Sequence, residues 1–141
     1  MSDKTTSELR HELMEDNSID TYLQGNAALF VNQDVVALLT GLYEQKHPTK
    51  AALARQAGMS EVYLHQVFAG RRNPSRDRLL CLCIGLEATV EETQQLLRQA
   101  GYAQLYPRVR RDAIILHAIA HGIALPLVND KLFEENEKTL F

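Results

Sequence analysis

The sequence is short of cysteine and has no long apolar run, and each shortage closes off a class of protein. Among its 141 residues only Cys81 and Cys83 are cysteines. They stand two apart in a helical pattern, so their side chains leave nearly opposite sides of the helix and cannot easily bond to each other. Cys-Leu-Cys is not a metal-ligand spacing, and free thiols, buried or half-buried, are expected. No stretch approaches the roughly 20 apolar residues that cross a bilayer. The leading MSDKTTSELRHELMEDN lacks the apolar stretch of a secretory signal. A cytoplasmic location without a membrane partner is therefore expected.

Strand signals are equally scarce. There is no sustained period-two alternation, no Asn-Gly or Asp-Gly hairpin, no low-complexity stretch and no repeat. Catalytic patterns are missing too: no Ser-His-Asp constellation, no phosphate-cradling glycine loop and no paired carboxylates. His117 and His121 stand four apart on one helix, a geometry that can hold zinc, but Ala-Ile-Ala separates them and no third ligand is evident. They read as a surface or half-buried pair, and His11 and His47 as residues of polar surroundings. No enzymatic activity, cofactor or metal is expected.

What is present is an ordinary globular composition, 45% hydrophobic and 23% charged, in a length of about one domain. The net charge of −3 is unevenly spread. Residues 1–49 carry −5, residues 50–80 carry +4 and residues 81–141 carry −2. Concentrated positive charge on one segment is the footprint of an anionic contact surface, although a solvated basic face would look the same.

The chain reads as all-α, with seven or eight helices. Residues 3–16 suit an acidic, loosely attached helix, and Ser18 caps a turn through Leu23 that Gly25 and Asn26 break. A helix from Asn32 to Gln45 would turn Val35, Leu38, Leu39 and Leu42 inward, with His47-Pro48 ending it. Helices near 50–57 and 60–69 follow. Ser75 then caps a helix bearing Leu79, Leu80, Leu82 and Ile84, which Gly85 stops. Thr89 with Glu92 forms a capping box for a helix bearing Leu96 and Leu97, closed by Gly101. Pro107 suits the first turn of a helix reaching His121, with Val109, Ala113, Leu116 and Ala120 as one possible inner stripe. Gly122 closes it, and Pro126 opens a last helix to about Glu137.

The densest pattern lies in TKAALARQAGMSEVYLHQVFAGRRNPSRDRLL. Ala54 is small where a second helix must cross closely. Gly58 supplies a left-handed turn. Leu53, Ala57, Leu64 and Val67 suit the inside of the corner, and Ser60 caps the second helix, a contribution of about 1 kcal/mol. Two helices at a steep angle with the second projecting is the geometry that enters the DNA major groove.

The order Leu53-Ala54, Gly58, Ser60, Leu64, Gly70, Pro74-Ser75 and Leu79 resembles the lambda-repressor-like, Xre/Cro-type helix-turn-helix regulators over about residues 33–86. The following LLRQAGYAQLYPRVRRDAIILHAIAHG is similar to a C-terminal extension found on some bacterial regulators of this type. The resemblance implies an all-α, lambda-repressor-like helix-turn-helix bundle with additional N- and C-terminal helices. The chain is expected to divide into an N-terminal arm (1–31), a DNA-binding domain (32–104) and a helical extension (105–141), a boundary near 104 being allowed and not demanded. It implies a sequence-specific transcriptional regulator on double-stranded DNA, working as a homodimer, with a regulatory protein as a further partner.

Carried onto this sequence, the resemblance places Glu61, Val62, Tyr63 and Gln66 toward base edges. There Gln66 can pair with adenine, Glu61 accept from cytosine and Val62 touch a thymine methyl. Lys50, Ser60, His65, Arg71, Arg72 and Arg76 fall on the phosphate side. Glu61 is unusual beside phosphates, and Phe68 is bulky enough to thicken the core. Tyr63 stands open between a partner contact and a base-stacking wedge. Arg108, Arg110, Arg111 and Asp112 either add phosphate contacts or hold the C-terminal helices through an Arg-Asp pair. The other reading open to the chain is a protein-interaction adaptor that keeps the fold and does not bind DNA.

Overall fold

The computed structural model describes residues 4–15, 18–25, 35–46 and 48–141. Among them there are nine helices and no strand: α1 (Thr6–Glu15), α2 (Ile19–Gly25), α3 (Val35–Lys46), α4 (Lys50–Gln56), α5 (Glu61–Phe68), α6 (Arg76–Gly85), α7 (Val90–Gln99), α8 (Arg110–Ala120) and α9 (Leu125–Glu134). The expected start at Asn32, the break at Asn26 and the helix stop at His47 lie outside the described residues.

Helix α6 is the axis of the molecule. After its first turn every residue from Leu79 to Gly85 is buried, the pattern of a helix surrounded on all sides. It packs against α4, α7 and α9, while α3 lies against α5 and α7. Lys46 at the end of α3 reaches Glu92 on α7 at 3.5 Å. The capping box of α7 is present in both directions, Thr89 Oγ1 accepting from Glu92 N and Glu92 Oε1 accepting from Thr89 N.

Gly85 does not stop α6 by its backbone. It is the last helical residue, and a β-carbon there would lie 3.1 Å from the Ala57 nitrogen and the Leu53 side chain. Its bareness lets α6 approach α4, and the left-handed residue after the helix is Glu87, at φ 54°.

The extension departs from its expected outline in three ways. Pro107 does not open α8; residues 106–109 form a turn closed by Val109 N donating to Tyr106 O, and the helix begins at Arg110. Its inner face is Asp112, Ile115, Ala118 and Ile119, whereas Val109 is 46% exposed and Ala120 is exposed. A carboxylate at the N-terminal end of that face is invisible to a hydrophobic pattern. Its burial is compensated by Arg76, 36 residues earlier, and by the Tyr106 N–H. Finally, α9 ends at Glu134, short of Glu137, and Asn136 turns left-handed at φ 60°.

Ile115, Ala118, Ile119, Leu125, Val128, Leu132 and Leu140 join the same core as Leu53, Leu64 and Leu80. At the other end α1 buries no residue and packs beside α2, whose Tyr22 is buried. None of the described helices is long and apolar enough to cross a membrane.

Candidate nucleic-acid interface

Two caps orient the corner. Thr49 Oγ1 accepts from Ala52 N at 3.1 Å to start α4, and Ser60 Oγ accepts from Tyr63 N at 3.1 Å to start α5. Between them Gly58 sits at φ 66°, in the left-handed region. Leu53 and Leu64 are fully buried, with Ala54, Ala57 and Val67 almost so. The inside of the corner is therefore consumed by packing, and what α5 presents outward is set by remainder: Glu61, Val62 and His65 are exposed and Gln66 is half-buried. Val62, 69% exposed, is an apolar side chain with nothing over it.

The cations around this face are held in different ways. Lys50 Nζ lies 4.7 Å from the Tyr43 ring centroid and 4.6 Å from that of Phe68, and these two rings meet edge-on at 5.5 Å. Phe68 packs against the core and with Tyr43 forms a shelf for the ammonium. Tyr63 is half-buried, with Arg78 Cζ 4.8 Å and Arg72 Cζ 5.8 Å from its ring centroid. Arg72 Nε donates to Gln66 Oε1 at 2.9 Å. Arg71 is exposed beside it, on the loop that follows α5.

Arg76 is placed elsewhere. Its guanidinium donates to Ala103 O at 2.9 Å, to Gln104 O at 3.3 Å and to both oxygens of Asp112 at 3.3–3.5 Å. These donors are turned toward the segment leading into α8, so Arg76 clamps α6 to the extension.

Arg111 and Arg110 follow the same logic. Arg111 donates to both Asp77 oxygens at 3.0 and 3.1 Å and to the carbonyls of Lys138 and Thr139. Arg110 pairs with Glu135 and Glu137. With Arg76 and Asp77 thus occupied by partners outside residues 50–80, Lys50, Arg55, Arg71, Arg72 and Arg78 remain against Glu61 alone. The local excess of +4 survives the pairing, and of these cations Lys50, Arg71, Arg72 and Arg78 adjoin residues of α5.

Tyr43, Thr49 and Arg78 are the residues that sequence reasoning passed over. Thr49 was legible as a cap two residues before Ala51; the aromatic shelf was not, because Tyr43 and Phe68 are 25 positions apart. Both thiols are buried in α6, and burial pushes Cys81 up to about 11 and Cys83 up to about 12. His117 and His121 are exposed with ring centroids 4.3 Å apart. Among the described residues no three His, Cys, Asp or Glu side chains are grouped to hold a metal ion.

Residues 34–96, just under half the chain, match a family model described as a helix-turn-helix domain. That span runs from the approach to α3 through most of α7 and includes both helices of the corner. No curated protein and no solved structure matches the chain.

Proposed function

We propose that this chain, whose residues 34–96 match a helix-turn-helix domain, is a lambda-repressor-like, cytoplasmic, sequence-specific transcriptional regulator that lays α5 in the DNA major groove. The observation that carries the reading is the outward face of α5. Glu61, Val62 and His65 stand clear of the protein, beside a rim of Lys50 and Arg71. Side chains of this mixture suit base edges, and the rim suits phosphates, which fix register without reading sequence. The chain acts by occupying a promoter, without catalysis, and as a homodimer it spans two half-sites about one helical turn apart.

A second reading, a protein-binding adaptor on the same fold, draws on the C-terminal helices. A groove between α8 and α9 is lined by Ile114, His117, Ile123 and Leu127, and Leu127 and Phe133 on α9 are largely exposed. Selection from a pool of random duplexes separates the two. The regulator enriches a defined site, and its affinity falls steeply with salt, by roughly 0.9 in log–log slope for each phosphate neutralised. No enriched site and no duplex affinity at low salt, together with a salt-insensitive protein partner, would establish the adaptor instead.

A further inference from the structure

We infer that Arg72 reads a guanine in the major groove, aimed by Gln66 and Tyr63, and is not one of the phosphate contacts. The inference rests on α5 being the groove-facing helix.

Arg72 lies six residues beyond Gln66, past the end of α5, yet the chain folds back to it. Arg71 N donates to Gln66 O at 2.9 Å and Gly70 N to Val67 O at 3.1 Å. These bonds return the exit loop to the last turn of the helix. The Arg72 guanidinium is then fixed twice more, by the 2.9 Å bond from Nε to Gln66 Oε1 and by the Tyr63 ring. The ring is itself held against α6 by Arg78. An exposed arginine ordinarily loses considerable rotamer freedom on binding; one already tethered loses less. The tether is to a side chain of α5 that lies beside exposed His65 and Val62. Lys50, in contrast, is anchored to Tyr43 and Phe68 at the start of α4.

The chemistry of the pair selects the base. Nε is spent on Gln66, which leaves the two terminal nitrogens of Arg72 as a parallel pair of donors. Gln66 has turned its amide oxygen to Arg72, so the atom that would accept from adenine N6 is engaged and its amide nitrogen remains to donate. The Arg72–Gln66 unit thus offers an edge of donors. Guanine presents two acceptors, O6 and N7, side by side in the major groove; adenine sets a donor beside its acceptor, and cytosine offers a donor. Thymine offers a single acceptor, O4, beside its methyl group. The donor edge therefore makes two bonds to guanine and at most one to thymine, and it opposes the amino groups of adenine and cytosine.

The test begins from the site enriched by the wild-type chain, with all four bases then compared at each position for wild type, Arg72→Lys, Gln66→Ala, Tyr63→Leu and Arg71→Ala. Wild type should prefer guanine at one position of each half-site by about 10-fold or more. Arg72→Lys keeps the charge, so salt dependence should hold while that preference collapses. Gln66→Ala and Tyr63→Leu should flatten the same position by several-fold, and Arg71→Ala should weaken all sequences alike. An unchanged base preference in Arg72→Lys overturns the inference and leaves α5 as the reading helix, as does a Gln66→Ala effect confined to a different position. Failure of the wild-type chain to enrich any site removes the groove-facing helix and this inference with it.

Discussion

The ring of Phe141 lies against Gly58, so close that a β-carbon on the glycine would stand 2.6 Å from the ring edge. The segment after α9 thereby reaches the turn between the two helices of the corner. It is brought there by Arg111, which holds the carbonyls of Lys138 and Thr139, and by Leu140, buried with its N–H on Asn129 Oδ1 at 2.7 Å. Gly58→Ala meets two obstacles at once, the left-handed backbone and the ring. We expect a loss of about 1 to 2 kcal/mol from the backbone alone, with a further steric part that Phe141→Ala relieves. A double-mutant cycle by urea melts checks this: equal losses in both backgrounds would mean that the ring yields freely.

Asp112 and Arg76 make the second prediction. Asp112 is buried, and its Oδ2 accepts from Tyr106 N at 3.0 Å as well as from Arg76. Asp112→Ala should cost about 2 to 3 kcal/mol, because it strands a partly buried guanidinium and a backbone N–H. Arg76→Ala should lower stability by a comparable amount while leaving the salt slope of DNA binding untouched. A stable Arg76→Ala protein with a reduced slope would return this arginine to the phosphate side.

Lys50 is expected to behave in the opposite manner. It sits in the first turn of α4 over two rings, where its charge is presented at small cost. Lys50→Ala should weaken binding to every duplex sequence and reduce the log–log salt slope by roughly 0.9, with less than about 1 kcal/mol lost in stability. Equilibrium titrations at three or four salt concentrations measure it. A sequence-selective loss would place Lys50 among the reading residues.

The thiols predict a pH response. In the folded chain burial holds Cys81 up to about 11 and Cys83 up to about 12, against an ordinary 9.0. The folded state therefore keeps protons that the unfolded chain gives up. The stability linked to them is complete below pH 9 and is lost as pH rises from there through the folded values. Denaturant midpoints should fall between pH 9 and 11, and by less in a Cys81→Ala, Cys83→Ala protein. At pH 8 both thiols should resist alkylation until the chain is unfolded. Rapid labelling of the folded protein would contradict their burial.

Much of the corner, and the start of α7, was readable without coordinates because the rules there are local. Gly58 and Ser60 answer to their own backbone, Thr89 and Glu92 are three residues apart, and Leu53, Leu64 and Val67 recur at helical spacing. The register of α8 was not readable, since two stripes fit its composition and a buried carboxylate at Asp112 argues against the correct one. Pro107 misled for a related reason: a proline is as content in the turn before a helix as in its first turn.

By itself, then, the order of residues determined an all-helical chain, the corner at residues 50–68 and the positive segment around it. Those follow from backbone preference and from spacing within a few turns. Tertiary structure alone decided how each charge is used. It turned Arg76 inward to Asp112, set Arg111 on Asp77, lifted Lys50 onto Tyr43 and Phe68, and joined Arg72 to Gln66. A guanidinium carries the same charge wherever it lies. Whether it is spent on a carboxylate within the fold or left for an anion outside depends on what folding brings within about 3 Å of it.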